Sequence, residues 1–204
     1  MVTVMHVRQL DNITGVILVG GKSRRMGKDK AFLDVCGKPL FERVLEVFRE
    51  SFAQTILVGN RDERFAGYGL QIVPDIYPGS ALGGLYAGLR HAATDYVFVA
   101  PCDMIFPNVK LLRHICSLKD GFNAVVPKSA YGFEPLYALY DKNCLEPIRG
   151  MLEQGNPRIT SLYPQILVRF VCGEELEFFD KDGKSFFNIN TPEEFVRARK
   201  ECGE

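Results

Sequence analysis

Short apolar runs alternate with amphipathic stretches along most of this 204-residue chain. Several of these runs are too continuously apolar for a sheet with one face in water, and strands buried on both faces are typical of a mostly parallel sheet covered by helices. We therefore predict an α/β fold. The predicted strands are residues 13–19, 55–59, 71–74, 96–100 and 123–127, with further β-like segments at 136–140 and 167–172.

Residues 39–52 show the clearest helical periodicity. Apolar side chains recur at Leu40, Val44 and Phe48, which places one apolar stripe on a helix that Pro39 opens. Further helices are predicted at residues 82–92, 107–118 and 143–154. A last helix is predicted to begin at Pro192, because Thr191 provides an N-cap and Glu194 stands at the third helical position.

Length and composition fit one globular domain. A single core usually serves about 100 to 200 residues, and the chain is 47% hydrophobic and 25% charged, an ordinary globular balance. No repeat, low-complexity tract or linker divides it. We assign residues 1–12 to an N-terminal extension and residues 13–204 to the domain.

Charge and cysteine content exclude several classes of protein. Lys plus Arg and Asp plus Glu both number 25, so no global field favours a nucleic-acid or membrane partner. The six cysteines form no C-x-x-C pair, which argues against a zinc site and fits reduced thiols in a cytoplasm. Neither a signal peptide nor an apolar run of roughly 20 residues is present, and we predict a cytoplasmic protein.

The segment LVGGKSRRMGKDK, residues 18–30, follows the first predicted strand. Its glycines let the backbone turn tightly and present N–H groups to an anion. Its cationic side chains are Lys22, Arg24, Arg25, Lys28 and Lys30. In a chain without net charge, this clustering predicts a polyphosphate ligand. The spacing matches neither G-x-x-x-x-G-K-[ST] nor G-x-G-x-x-G, which excludes a P-loop kinase and a dinucleotide dehydrogenase.

Asp103 comes soon after the predicted strand at residues 96–100, and a carboxylate at this place predicts a metal site. Open α/β sheets bind ligands outside the carboxyl ends of their strands, and Mg2+ takes oxygen ligands together with phosphate oxygens. On this observation alone, an Asp that merely ends the strand or caps the next helix stays an open alternative.

Residues 18–30 also resemble the signature L-x-G-G-x-S-x-R-M-G-x-D-K of the MobA-like nucleotidyltransferases at every fixed position. Further family motifs follow in order, so that the resemblance covers residues 13–200. It implies a single-domain, Rossmann-like, mostly parallel mixed sheet flanked by helices, of the nucleotide-diphospho-sugar-transferase type. It also implies Mg2+-dependent transfer of GMP from GTP to the terminal phosphate of molybdenum-molybdopterin, giving the guanine dinucleotide cofactor and pyrophosphate.

The resemblance implies which residues bind the nucleotide. These are Leu18, Val19, Gly20, Gly21, Lys30, Asn60, Asp75, Gly84 and Asp103. The implied catalytic residues are Lys30, Arg25 and Asp103. Lys30 and Arg25 would contact the triphosphate, Lys30 would stabilise charge on the α-phosphoryl group and the departing pyrophosphate, and Asp103 would hold Mg2+.

The motif at residues 74–88 departs from the family at Ser80 and Ala81, where Gly-Pro is usual, and Ile105 replaces a common Pro after Asp103. Because the first departure falls near the base, a cytidylyltransferase or a sugar-phosphate nucleotidyltransferase of the same fold stays an alternative. An alternative of another class is a non-catalytic regulatory or delivery module that binds the nucleotide. Lys30 and Asp103 favour an enzyme over that module.

Two later motifs concern the second substrate. FEPLYALY, residues 133–140, resembles a guanylyltransferase motif and suggests Glu134 for the acceptor site. FFNINTPEEF, residues 186–195, resembles a segment that joins the metal or substrate shell in sister enzymes, which makes Asn188 and Asn190 candidates, although helix capping accounts for Asn190 equally well. The implied partners are GTP, molybdenum-molybdopterin, and the molybdoenzymes or chaperones that would receive the product.

Overall fold

The computed structural model describes residues 8–20, 30–35, 37–60, 63–189 and 191–201. Within these ranges the strands are β1 Leu10–Leu18, β2 Asp34–Val35, β3 Lys38–Pro39, β4 Phe52–Val58, β5 Gln71–Val73, β6 Tyr96–Pro101, β7 Ala124–Ser129, β8 Gly132–Phe133, β9 Ala138–Asp141 and β10 Val168–Cys172. The α-helices are α1 Leu40–Ser51, α2 Ala81–His91, α3 Val109–Ser117, α4 Leu145–Glu153, α5 Glu174–Phe179 and α6 Pro192–Glu201.

One mixed sheet organises the molecule. Its order is β10-β7-β9-β6-β1-β4-β5, and β8 pairs with β7 beside this path. Strand β1 is parallel to both β4 and β6, and β5 is parallel to β4. Strand β9 runs antiparallel to its neighbours β6 and β7. The predicted α/β architecture with a mostly parallel mixed sheet is therefore confirmed.

Helices cover both faces of the sheet, which explains why its strands are apolar without interruption. In β1, Ile13 and Ile17 face the layer that contains α1, α3 and α5. Val16 and Leu18 face the layer that contains α2 and α4. Across the described ranges, none of the helices combines the length and the apolarity needed to cross a bilayer.

Pro39 does not open α1 as we predicted. It has φ −55° and an extended ψ of 140°, and α1 begins one residue later at Leu40. Pro39 pairs instead with Asp34 in the short β2–β3 hairpin, a contact between residues whose sequence shows no strand pattern.

The helix α6 does begin at Pro192, and its N-cap is as predicted. Thr191 Oγ1 accepts from Glu194 N at 3.2 Å, and Glu194 Oε2 accepts from Thr191 N at 3.0 Å.

Gly15 lies where α1 packs against β1, and we expect Gly15→Ala to destabilise the fold. A Cβ at this position would lie 2.6 Å from Phe48 Cδ1 and 2.7 Å from Phe52 Cδ2. Both rings are buried and cannot move without disturbing the core. Overpacking of this kind costs about 1–3 kcal/mol of unfolding free energy, which urea denaturation would measure.

Gly150→Ala in α4 is the matched control for that substitution. A Cβ at Gly150 meets nothing within 4 Å, so alanine is expected to raise the unfolding free energy by up to about 1 kcal/mol. Equal effects of the two substitutions would contradict the packing argument.

Candidate active site

The carboxyl ends of the parallel strands β1, β4, β5 and β6 meet at one edge of the sheet. Hydrogen bonds extend the pairing past the strand ends: Val19 N donates to Val58 O at 2.9 Å, and Cys102 N donates to Leu18 O at 3.2 Å. Four predicted site residues lie within two residues of these four ends, and they are Val19, Asn60, Asp75 and Asp103. Sheet topology therefore brings together residues that are far apart in the sequence.

Lys30 and Asp103 face each other at this edge. The distance from Lys30 Nζ to Asp103 Oδ2 is 3.9 Å, and the two side chains are only 15% and 18% exposed. At the other end of the basic segment, Leu18 is hydrogen-bonded to Cys102, the neighbour of Asp103. Both flanks of the segment thus adjoin the acidic strand end, which is the arrangement that a triphosphate and its counter-ion would require.

The environment of Asp103 suits a cation. Burial raises the pKa of its carboxyl group above the ordinary value of 3.8, an effect that the Lys30 ammonium opposes and that the Glu194 carboxylate reinforces. A partly desolvated carboxylate gains most from a cation bound next to it. Among the described residues no group of three or more His, Cys, Asp or Glu side chains could hold a metal ion. Mg2+ fits here nonetheless, since it commonly binds one carboxylate together with substrate phosphates and water.

Gly59 allows the turn after β4 to approach the turn after β1. A Cβ on Gly59 would lie 2.9 Å from Gly20 N and 2.9 Å from Val19 Cγ2. No larger residue fits at position 59 unless residues 19–20 move. Asn60 follows and is exposed at the same edge.

Glycines bring the first turns of α2 against β1 and the Asp75 loop. A Cβ on Gly83 would lie 2.1 Å from Tyr77 O and 2.9 Å from Asp75 Oδ1, and one on Gly84 would lie 3.1 Å from Leu18 Cδ2. Ser80 caps the helix, because its Oγ accepts from Gly83 N at 3.0 Å. The departure from the family at Ser80 therefore has a structural role at the helix start.

Asp75 is held in a defined conformation beside this helix start. Its Oδ1 accepts from Tyr77 N at 3.0 Å. Burial raises the pKa of the Asp75 carboxyl group, and the bond from Tyr77 partly opposes that shift. The result is a half-buried acceptor next to Gly83, at the start of α2.

The segment around Asn188 lies directly beside the residues that follow Asp103. Met104 and Asn188 form an antiparallel bridge, and Ile105 N donates to Phe187 O at 3.3 Å. The proline that the family commonly has in place of Ile105 could not donate this bond. Ile105 therefore adds a hydrogen bond between the residues after β6 and the 186–189 segment.

Glu134 and Asn188 line the same cavity, next to Met104. The antiparallel direction of β9 explains this, because the residues before β9 reach the edge at which β6 ends. Ser129, which the sequence did not suggest, donates from Oγ to Glu134 Oε1 at 2.7 Å.

Three of the predicted site residues, Gly21, Arg25 and Asn190, lie outside the described residues.

A mostly parallel mixed sheet with a lysine and an aspartate facing each other outside the ends of its central strands fits the nucleotidyltransferase class. Comparison with known proteins agrees. The family model described as MobA-like NTP transferase domain matches residues 15–166. The chain belongs to this family, and it is a nucleotidyltransferase.

Similar proteins support this assignment along nearly the whole chain. The probable molybdenum cofactor guanylyltransferase of Pelotomaculum thermopropionicum is 37% identical over 187 residues, covering 91% of each chain. The molybdenum cofactor guanylyltransferase of Desulfosudis oleivorans is 34% identical over 192 residues, covering 93% of this chain and 95% of the relative. The crystal structure of molybdopterin-guanine dinucleotide biosynthesis protein A from Archaeoglobus fulgidus has a TM-score of 0.80 at 34% identity, covering 93% and 98%.

Proposed function

We propose that this enzyme transfers GMP from GTP to the terminal phosphate of molybdenum-molybdopterin in an Mg2+-dependent reaction. The products are the guanine dinucleotide cofactor and pyrophosphate. The observation that carries the proposal is the 3.9 Å approach of Lys30 to Asp103 at the common edge of the strands. The guanylyltransferase names of the relatives support the choice of substrates.

The reaction needs positioning and charge stabilisation more than proton transfer. An oxygen of the acceptor phosphate forms a bond to the α-phosphorus of GTP, the bond to the bridging oxygen breaks, and pyrophosphate leaves with the electron pair. The acceptor is already ionised, so no general base is required. Lys30 stabilises the charge that develops on the α-phosphoryl group and on pyrophosphate, and Arg25 assists it. Asp103 holds the Mg2+, which neutralises phosphate charge when it is bound.

Asp75 gives the base site its preference for guanine. The Watson–Crick edge of guanine presents two adjacent N–H donors, whereas cytosine presents a donor beside an acceptor. A carboxylate accepts from both donors of guanine and from only one of cytosine. Leu18, Val19 and Gly20, together with Gly21, Asn60 and Gly84, complete the nucleotide site.

Glu134, Asn188 and Asn190 belong to the acceptor side of the site in this proposal. The enzyme acts in the cytoplasm and passes its product to a molybdoenzyme or its chaperone. The acceptor residues and the nucleotide residues meet at Asp103 and Met104, which is where the two phosphates must come together.

A panel of nucleotides and acceptors tests the proposed reaction. Pyrophosphate release would be measured with GTP or CTP, with molybdenum-molybdopterin or a sugar 1-phosphate, and with or without Mg2+. We expect turnover only with GTP, the molybdenum cofactor and the metal ion together. Preference for CTP would identify a cytidylyltransferase, and nucleotide binding without turnover would identify a delivery module.

Asp75→Asn is expected to lower kcat/KM for GTP by about tenfold to a hundredfold, the effect of losing hydrogen bonds to a charged group. The amide keeps the acceptor for Tyr77 N but turns a donor towards the guanine N–H groups. Asp11→Asn, at the exposed beginning of β1, is the matched control and should leave kcat/KM unchanged. An unchanged ratio of GTP to CTP turnover in Asp75→Asn would remove the base-selecting role.

A further inference from the structure

A small cavity lies between the end of β6, the turn before β9 and the 186–189 segment. Its volume is about 130 Å³. This is below the roughly 300–1,000 Å³ of pockets that enclose a whole drug-sized ligand, so the cavity would take only part of a substrate. Met104 is both one of its walls and the neighbour of Asp103, so the cavity opens close to the reacting phosphates.

Most of the side chains that line this cavity are apolar. They are Pro101, Met104, Pro135, Leu136 and Phe186. Tyr137 also lines it, but its hydroxyl is engaged elsewhere, since it donates to Asn108 O at 2.8 Å and accepts from Asn108 N at 3.1 Å. The side chains of Glu134 and Asn188 therefore provide the cavity with its available polar groups.

These two polar side chains both have unused capacity to accept hydrogen bonds. Asn188 Oδ1 is buried and has no hydrogen-bond partner among the described residues. Buried polar atoms are normally paired, so an unpaired one marks a place where a ligand atom is expected. Ser129 occupies only Oε1 of Glu134, which leaves the second carboxylate oxygen for a ligand.

Glu134 is also fixed in position before any ligand arrives. Glu134 N donates to Pro127 O at 2.9 Å, and Tyr137 N donates to Glu134 O at 3.2 Å. Burial raises the pKa of the Glu134 carboxyl group, the Ser129 bond opposes the shift, and the Asp180 carboxylate adds to it. A desolvated carboxylate that is held by backbone bonds favours ligands that donate N–H groups to it.

We propose that this cavity binds the 2-amino-4-oxo pyrimidine edge of the acceptor's pterin, with Glu134 and Asn188 accepting hydrogen bonds from its N–H groups. The inference rests on the proposed function, because it assigns the part of the acceptor that the enzyme recognises. The apolar walls suit the faces of the ring, and the acceptor's phosphate then extends past Met104 towards Asp103. Selection of the acceptor thus depends on the exocyclic amino group.

Titration of the full-length protein with pterin and with lumazine tests the assignment. Lumazine has a carbonyl oxygen in place of the 2-amino group. The titrations would contain Mg2+ and saturating α,β-methylene-GTP, so that the guanine site is filled and cannot bind the pterin. We expect saturable pterin binding, about tenfold tighter than that of lumazine, because a charged hydrogen bond is lost with the amino group.

Glu134→Gln and Asn188→Ala are each expected to weaken pterin binding about tenfold, and Glu134→Gln should also remove most of the preference over lumazine. Glu153→Gln, an exposed carboxylate on α4, is the matched control and should bind pterin as the unchanged protein does. Binding of α,β-methylene-GTP verifies that each variant is folded. If Glu134→Gln does not fold, the lumazine comparison and Asn188→Ala still test the assignment.

Equal affinities for pterin and lumazine, or no saturable pterin binding, would overturn the assignment. Unchanged pterin affinity in both variants would do the same. These results would leave the proposed function intact if GTP is turned over with the molybdenum cofactor. Lack of GTP turnover with every acceptor would instead contradict the proposed function, while the titrations would still decide what the cavity binds.

Discussion

Asp103→Asn should lower the rate of pyrophosphate release from GTP by about a thousandfold, which corresponds to ~4 kcal/mol of transition-state stabilisation. The side chain keeps its size, but a neutral amide is a much weaker ligand for Mg2+ than a carboxylate. The phosphates would then lose the neutralising charge that the metal ion would supply. Steady-state release of pyrophosphate at several Mg2+ concentrations would measure the loss.

Asp95→Asn is the control for that variant, because Asp95 is exposed and precedes β6 at its opposite end. Its rate is expected to match that of the unchanged enzyme. A rate for Asp103→Asn within tenfold of the unchanged enzyme would show that Asp103 does not hold the metal ion.

Asp103→Asn should also stabilise the protein in the absence of Mg2+ and nucleotide. Burial raises the pKa of Asp103 above 3.8, so the native state binds the proton more tightly than the unfolded chain does. The stability gained from that proton is fully present below pH 3.8 and is lost as the pH rises through the folded pKa. At neutral pH the ionised side chain therefore lowers stability, and asparagine removes this cost. Urea denaturation should show a gain at pH 7 that shrinks on acidification.

Lys30→Met should lower kcat by about a hundredfold to a thousandfold, the range seen when a single group that stabilises transition-state charge is removed. Methionine replaces the apolar part of the side chain, whereas the charge next to the α-phosphoryl group is lost. KM for GTP should rise less than kcat falls, because the charge that Lys30 stabilises develops mainly in the transition state. Single-turnover kinetics with saturating GTP would separate the two effects.

Lys110→Met is the control for the lysine, since Lys110 is exposed at the beginning of α3. Combining Lys30→Met with Asp103→Asn should cost less than the product of the single losses, because both residues act on the same triphosphate. Full additivity would indicate that the two residues act independently, despite the 3.9 Å between them.

The local elements were largely readable from the sequence. Strands buried on both faces leave uninterrupted apolar runs, and the stripe of α1 appears at the spacing of helix turns. Elements too short to repeat a periodic pattern left no such signal. These include the two-residue strands β2 and β8 and the six-residue helix α5.

The cavity between the end of β6, the turn before β9 and the 186–189 segment could not be inferred from the sequence. Glu134 was a candidate through resemblance alone, and nothing near it in the sequence indicated Ser129, Met104 or Phe186. Their grouping depends on β9 running antiparallel to β6. Strand direction in a sheet is set by the packing of the whole chain, and an apolar run reads alike in either direction.

The sequence by itself determined the α/β class, the basic segment with its family signature, and the identity of the polar residues at strand ends, because local periodicity and residue chemistry suffice for these. Only the tertiary structure decided that Lys30 meets Asp103 and that Glu134 shares a cavity with Asn188. The order and direction of the strands fix those contacts, and they follow from burying both faces of the sheet at once.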